Sequence, residues 1–487
     1  MDTVAGGDAQ VRPPPGASLP APRVVVGART QIRASLVARG LRVAVLDDDP
    51  TGSQAVHDVA VVTAFDEGEY LASLGREGSV CFIWTNSRSL SDDGATTVNV
   101  QVASGLFAAA RRAGFGLEIV SRSDSTLRGH FMAEVRALER TKREATGRGY
   151  DAVLFIPAYF EAGRVTLWDV QWVLVGDEWL PAARTEFSRD ASFGYAASNL
   201  REYIAEKSGG AIRAEDVWSI SLEDIRVGGV ARVVEILERV TAGTFVVVNA
   251  VLYEDLEVVV LALAMVEGAG RSFLYRTGPS FVRALAGIEP REPIAASELW
   301  PLGRPPGHGL VVVGSHVAVT NRQLAAMRAV GGLAEVELDV ARVINCRDRD
   351  AYLAEVTKRV IAALVAADVL LVTSRRVNRV AGGNANLKAA RIVSTALSRV
   401  AGRALAGRPS WIVAKGGITS HDVAVQGLGM RRATVVGQVL PGMVSVLQPI
   451  DAAPEAVGIP YVVFAGNVGG DDALAKVVAV LRGKRLC

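Results

Sequence analysis

The stretch Leu41-Arg-Val-Ala-Val-Leu-Asp-Asp-Asp-Pro-Thr-Gly-Ser-Gln54 sets the fold class of this chain. Leu41 to Leu46 is a short apolar run that reads as a buried strand. Three carboxylates, Asp47, Asp48 and Asp49, arrive together at its C-terminal end, and a Pro-Thr-Gly turn follows at once. In open α/β sheets, ligands bind in the crevice beyond the carboxyl ends of the strands. Like charges crowded there raise one another's energy, which a fold tolerates where a metal, a proton or a cationic partner occupies the site. The plainer alternative is an Asp-rich turn that caps the next element.

Outward from this stretch, short apolar runs alternate with amphipathic ones. Val59–Phe65, Val80–Trp84, Leu117–Val120, Ala152–Pro157 and Thr244–Asn249 read as strands, with helices over Thr97–Arg112, Phe131–Arg140, Val230–Val240 and Leu256–Met265. Five prolines between Gly287 and Gly309 interrupt the pattern, which resumes at Leu310–Val313 and ends in a helix over Ala473–Leu481. Alternation of this kind predicts parallel sheets with helices on their faces. The expectation is therefore two α/β domains with mainly parallel sheets and a ligand cleft between them. Residues 1–22, rich in Ala, Gly and Pro, are expected to be a disordered tail. An N-terminal domain over 23–286, a linker over 287–308 and a C-terminal domain over 309–487 follow.

Composition removes several function classes. A chain of 487 residues with 50% hydrophobic and 21% charged residues has the make-up of a well-buried soluble protein of two or more domains. A formal net charge of +2 gives no electrostatic argument for nucleic acid or for a membrane surface. Apolar runs such as Val258–Val266 are too short to cross a bilayer. Cys81, Cys346 and Cys487 are widely spaced and odd in number, which fits a reducing, cytoplasmic location better than a disulfide framework or a zinc site. The five histidines show no zinc-type spacing, so a metal here is expected to be Mg2+ held by carboxylate and phosphate oxygens. The partners expected are small molecules, with a homodimer left open.

Three further constellations carry chemistry. Ser121-Arg-Ser-Asp-Ser-Thr-Leu-Arg-Gly-His130 lies between a strand and a helix. Ser125, Thr126 and Gly129 can present hydroxyls and N–H groups to an anion there. Arg122 and Arg128 add bidentate recognition of carboxylate or phosphate, and Asp124 adds a fourth carboxylate. The alternative is a capped helix with surface arginines. Arg164, in Phe160-Glu-Ala-Gly-Arg164, reads equally as an anion clamp or as a loop salt bridge. In the C-terminal half, Gly314-Ser315-His316, Ala414-Lys-Gly-Gly-Ile-Thr-Ser420 and Ala465-Gly-Asn-Val-Gly-Gly470 each follow a predicted strand. Adjacent glycines let a phosphate approach the backbone, and Ser315, Thr419 and Ser420 supply hydroxyls. One such loop is usually only a turn; three in one domain point to a nucleotide. Neither a Walker A pattern nor a dinucleotide fingerprint occurs.

Asp47-Asp48-Asp49-Pro50-Thr51-Gly52, Asp124-Ser125-Thr126-Leu127-Arg128-Gly129, Gly416-Gly417-Ile418-Thr419-Ser420 and Gly466-Asn467, taken in order, resemble the four-carbon acid sugar kinase family. The resemblance runs from about Arg42 to the C-terminus. It implies a sugar-acid-binding N-terminal domain and an ATP-binding C-terminal domain that together phosphorylate the 4-hydroxyl of threonate, erythronate or 3-oxo-tetronates. It places ATP on Ser315, on Gly416, Gly417, Ile418 and Thr419, and on Gly466. It places the acid on Asp48, Asp49, Arg122, Asp124 and Arg164.

The chain departs from the compact family pattern in three places. Asp47-Asp-Asp-Pro-Thr-Gly52 stands where Ala-Asp-Asp-Leu-Thr-Gly is usual, Ala162-Gly-Arg164 stands for Gly-Gly-Arg, and Ile418 replaces a common Glu. Phosphoryl transfer needs positioning, charge neutralisation and a base for the attacking hydroxyl. Asp48 or Asp49 is the expected base, Arg122 and Arg128 the carboxylate holders, and Lys415 an aid to the phosphates. A non-catalytic sugar-acid sensor and a dehydrogenase of the same acids are the rival readings. ATP hydrolysis coupled to a tetronate would exclude the first, and loss of nucleotide binding would favour it. The missing dinucleotide fingerprint counts against the second, which a thermal-shift comparison of ATP with NAD would decide.

Overall fold

The computed structural model describes residues 18–300, 307–374, 383–440, 442–466 and 468–484. Residues 1–17 of the expected tail, 301–306 of the expected linker, Asn467 and Cys487 lie outside the described residues. The chain divides into two compact units, 1–291 and 292–487. Both are α/β, with mainly parallel sheets. No described helix is long and apolar enough to cross a membrane.

In the first unit the strands are β1 Leu41–Asp47, β2 Val59–Val62, β3 Val80–Trp84, β4 Gly116–Arg122 and β5 Ala152–Ile156. A hairpin layer follows, β6 Arg164–Leu167, β7 Val170–Val175 and β8 Glu178–Pro181, and then β9 Trp218–Ile220, β10 Thr244–Val248 and β11 Phe273–Thr277. The main sheet runs β2-β3-β1-β4-β11-β5-β10-β9, and every pairing in it is parallel. Strands such as β3 and β5 are buried along their whole length, which is why they read as unbroken apolar runs rather than alternating ones. Helices fill the crossovers. Asp92–Ala113 begins where Ser91 Oγ accepts the Gly94 N–H at 3.3 Å and ends at Gly114 in the left-handed region, so the chain turns directly into β4. Helix Phe131–Thr146 buries Phe131, Val135 and Leu138 against Ile83, Val153 and Phe155 of the sheet. Each such side chain contributes about 1.5–3 kcal/mol on burial.

The antiparallel β6-β7-β8 layer was not expected. Its first turn, Trp168-Asp169, has both residues at positive φ, as a two-residue type I′ hairpin requires, yet it lacks the Asn-Gly or Asp-Gly that would announce it. From this layer Gln171 donates to the carbonyls of Ser125 at 2.8 Å and Pro157 at 2.9 Å, so the hairpin braces two strand-end loops.

In the second unit the strands are β12 Leu310–Val313, β13 Leu333–Leu338, β14 Asp368–Thr373, β15 Ile412–Lys415, β16 Arg432–Leu440, β17 Val444–Asp451 and β18 Tyr461–Phe464. They run β13-β14-β12-β15-β18-β17-β16. The first five are parallel, while β17 and β16 are antiparallel additions. Val311, Val413, Val462 and Phe464 form the core with Leu474 and Val477 of the C-terminal helix, and Ile294, Leu299 and Trp300 are buried in the same cluster. Gly309 has no room for a side chain, because a Cβ would fall 2.0 Å from the Trp411 ring.

Candidate functional site

Both sheets reverse direction around their first strand. From β1 the chain visits β2 and β3 on one side, then crosses to β4 on the other; from β12 it visits β13 and β14, then crosses to β15. The loops after β1 and β4, and after β12 and β15, therefore flank a topological switch point, where open α/β sheets bind ligands. These are the loops that hold the acidic and glycine-rich stretches.

In the first unit, parallel register sets Asp47 beside Arg122. The Arg122 guanidinium pairs with Asp47 Oδ1 and donates to the Asp49 carbonyl at 2.6 Å. Gly52 has to be glycine here, since a Cβ would lie 2.1 Å from Arg122 Nε and 2.2 Å from Asp47 Oδ1. Burial pushes the Asp47 carboxyl up to about 8; Arg122 pulls it back, and the charges of Asp48 and Asp49 add to the rise. Asp47 Oδ2 is buried without a hydrogen-bond partner among the described residues.

Asp48 sits in a different field. Arg88 reaches both of its oxygens, with Nε to Oδ2 at 3.1 Å, and Ser123 Oγ donates to Oδ2 at 2.7 Å. Burial alone would raise its pKa, but Arg88 and Arg122 outweigh it and hold the carboxyl below the usual range. Ser123 is itself held by Arg276 Nη2 at 2.8 Å, while Arg276 Nη1 binds Ser121 Oγ at 2.7 Å and pairs with Glu134. Gly129, at φ 121°, backs onto this carboxylate, and a Cβ there would stand 3.0 Å from Asp48 Oδ2. Asp49 is more open. Its Oδ1 accepts the Thr51 N–H at 2.9 Å and the Thr51 hydroxyl at 2.6 Å, whereas Arg88 Nη1 approaches Oδ2 only to 3.7 Å.

The loop after β4 is strained and braced. Leu127 is buried at φ 67°, a costly conformation for a branched side chain. The Tyr203 hydroxyl fixes its carbonyl at 2.6 Å, the Tyr195 hydroxyl fixes that of Thr126 at 2.8 Å, and Gln171 fixes that of Ser125. Asp124 accepts from the Thr126 N–H at 3.2 Å and from Arg128 Nε at 2.6 Å. Burial works against its ionised form, yet Arg128 and Arg88 hold its carboxyl far below the ordinary range. Arg164 differs from its neighbours. Its guanidinium lies 5.6 Å from the Tyr159 ring and 5.8 Å from the Phe187 ring, makes no ion pair among the described residues, and leaves Nε buried without a partner. Burial lowers its pKa, and the charge of Asp124 is the main opposing influence.

Asp48, Asp49, Arg122, Asp124, Ser125, Arg128 and Arg164 thus share one neighbourhood, linked through Arg88. Sequence reasoning missed Arg88, Arg276 and Glu134. The signal available for Arg276 was a lone arginine closing the apolar stretch Phe273–Tyr275. It becomes meaningful only once β11 is known to lie beside β4.

In the second unit Ser315, Gly416, Thr419 and Gly466 converge. A Cβ on Gly314 would fall 2.4 Å from Thr419 Oγ1, one on Gly416 3.3 Å from Ser315 Cβ, and one on Gly466 3.0 Å from Ser315 Oγ. Thr320 Oγ1 ties Ser315 Oγ to the Gly466 carbonyl, at 3.1 Å each, and His316 Nε2 lies 3.2 Å from Thr373 Oγ1. Gln323, fully buried, donates to the carbonyls of Val468, Gly469 and Gly470 and so shapes the last glycine loop. Gly416 is at φ 112°, open to glycine and strained for other residues. Gly417 opens the short helix Gly417–Asp422, and Ile418 is exposed. Lys415 is fully buried beneath these loops.

These two loop sets sit in domains of known type. A sugar-binding N-terminal domain matches residues 43–285, and a nucleotide-binding C-terminal domain matches residues 310–474. The protein thus joins a sugar-binding to a nucleotide-binding domain. The chain belongs to the four-carbon acid sugar kinase family. Among solved structures it is similar to Haemophilus influenzae protein HI1011 of family DUF1537, at 19% identity and a TM-score of 0.59, over 90% of this chain and 100% of that one. It is also similar to a Salmonella typhimurium LT2 protein named as a tRNA synthase, at 17% identity and a TM-score of 0.64, over 90% of this chain and 98% of that one. At such identities the likeness is one of fold. No curated protein matches the chain.

Proposed function

We propose that this protein is an ATP-dependent kinase that phosphorylates the terminal 4-hydroxyl of a four-carbon sugar acid. The observation that carries the reading is the division between its two strand-end loop sets. The sugar-binding unit gathers carboxylates and guanidiniums, one of which, Arg164, has no ion pair among the described residues. The nucleotide-binding unit gathers glycine backbone and hydroxyls around Ser315, Gly416, Thr419 and Gly466.

Arg122 is committed to Asp47 and Arg128 to Asp124, so we assign the substrate carboxylate first to Arg164. Asp48 is saturated by Arg88 and Ser123 and held ionised, which makes it a fixed anchor and a poor proton acceptor. Asp49 keeps Oδ2 clear of hydrogen bonds among the described residues, and we assign it the base that takes the proton of the attacking hydroxyl. The hydroxyls and glycine N–H groups of the second unit would hold the phosphates of ATP. A magnesium ion on those phosphates would need only waters and one or two carboxylates. Bound there, it would neutralise charge developing on the transferred phosphoryl group.

Ile418, exposed at the nucleotide loops where relatives commonly carry a carboxylate, favours a second reading, a sugar-acid sensor that binds nucleotide without turning it over. A coupled ADP-release screen over threonate, erythronate and oxo-tetronate stereoisomers separates the two. Acid-dependent release with phosphate on the 4-hydroxyl is the expected result. Tight binding of nucleotide and acid with release no faster than the ATPase background would establish the sensor.

A further inference from the structure

Lys415 is the last residue of β15, and its side chain is wholly shielded from solvent. Its Nζ donates to the Ala465 carbonyl at 2.8 Å and lies 3.9 Å from the centroid of the Phe464 ring. No carboxylate, histidine or second cation among the described residues pairs with it, and burial is the one influence on its ionisation, lowering its pKa to about 7. A buried ammonium with a single carbonyl acceptor is costly, and a fold retains it where the charge or its hydrogen bond has a use.

The peptide plane supplies that use. In a trans peptide the carbonyl of one residue and the N–H of the next point in opposite directions. With the Ala465 carbonyl fixed on Lys415, the Gly466 N–H is turned away from Lys415, and Ser315 Oγ stands near the same residue, 3.0 Å from where a Cβ on Gly466 would lie. We propose that Lys415 is a positioning residue for nucleotide binding: it orients the Ala465–Gly466 peptide so that the Gly466 N–H donates to a phosphate, and its own charge is balanced only when that phosphate is bound. This rests on the second unit binding a nucleotide. It assigns Lys415 a place beneath the loop rather than a direct phosphate contact.

A phosphate brought close to a buried, largely neutral lysine raises its pKa, so nucleotide binding above neutrality takes up a proton. The test is calorimetric titration of the full-length protein with MgADP at pH 8, in Tris and in HEPES, whose ionisation enthalpies differ. The expected result is uptake of roughly one proton by the unmodified protein. In Lys415→Met the uptake should vanish and Kd should weaken about tenfold. In steady state, KM for ATP should rise while KM for the acid holds. Buffer-independent heats in the unmodified protein overturn the proposal even if the variant fails to fold. A folded Lys415→Met with unchanged Kd overturns it too. Absence of MgADP binding by the unmodified protein instead removes the nucleotide-site reading on which the proposal stands.

Discussion

The strand-end loops of the first unit, after β1, β3, β4 and β5, present Asp48, Asp49, Asp124, Arg88, Arg128 and Arg164, whereas those of the second unit, after β12, β15 and β18, present Ser315, Gly416, Thr419 and Gly466. Both sets stand at the same topological place, because each sheet orders its first four parallel strands second, third, first, fourth. The difference lies in what shapes the site. In the first unit side-chain charge does so: every carboxylate is within reach of a guanidinium, and strain at Leu127 is held by two tyrosine hydroxyls. In the second unit the backbone does so, and buried polar side chains, Gln323 and Lys415, hold carbonyls inward. A charged lining suits a small acid with few atoms to grip; a glycine lining suits a polyphosphate that has to lie close to N–H groups.

The largest test of this contrast removes one charge from the first unit. Asp49→Asn should lower kcat by about 10²–10⁴-fold with KM for either substrate nearly unchanged, as loss of a general base does. A variant within threefold of the parent kcat would move the base role elsewhere. Asp48→Asn should behave differently, because it strips Arg88 and Ser123 of their shared acceptor. Breaking a buried ion pair costs about 3–5 kcal/mol, so the expected readout is a lower denaturation midpoint for the first unit. An Asp48→Asn protein as stable as the parent but inactive would make Asp48, not Asp49, the chemical residue.

Specificity gives the next test. Arg164→Met should raise KM for the acid about 10–100-fold, the worth of a charge-assisted hydrogen bond, and leave KM for ATP alone. Gly416→Ala should do the reverse. It forces a side chain to φ 112° and against Ser315, at a strain of about 1–3 kcal/mol, so KM for ATP should rise about tenfold or more. If both substitutions moved both constants together, the division of labour between the units would be wrong.

The two units were not equally legible in the sequence, for a physical reason. Parallel strands covered on both faces are unbroken apolar runs, so β1, β3, β5 and β12 announced themselves, and the loops after β1, β4, β12, β15 and β18 could be read as strand ends. Strands that break the rule were missed. β11 carries an arginine, β6 and β7 meet in a Trp-Asp turn, and β16 passes through Gly437 with shifted register against β17. Strand order was beyond the sequence, and the partners of Asp48 depend on it. Arg88 reaches Asp48 because β3 lies beside β1, and Arg276 reaches Ser123 because β11 lies beside β4. For the same reason Arg122, legible as a clamp, had a neighbour in Asp47 that only register reveals. Glycine loops need no such knowledge, since their chemistry lies in their own backbone.

The smallest expected effect concerns stability against pH, where the units should diverge. In the first unit burial raises Asp47 and Glu118 to about 8, the latter helped by the nearby charge of Glu267. A carboxyl whose folded pKa is raised binds more protons in the folded state than in the unfolded one between its two pKa values. Its contribution is therefore full below about pH 4 and is lost as pH rises to about 8. Asp48 and Asp124 act with opposite sign, but only below their unfolded values, so they are silent in this window. In the second unit Lys415 is lowered to about 7 from an ordinary 10.5, so the unfolded state binds the extra proton. Stability there should rise with pH between about 7 and 10.5. Each group changes the slope by at most about 1.4 kcal/mol per pH unit. Hydrogen exchange, corrected for intrinsic rates and followed separately in peptides of β1 and β15, resolves the two slopes. Asp47→Asn should reduce the first slope to the share left by Glu118 and leave the second, and Lys415→Met should flatten the second and leave the first. Parallel slopes in the unmodified protein would mean that these buried groups are compensated by water or by partners that their surroundings do not reveal.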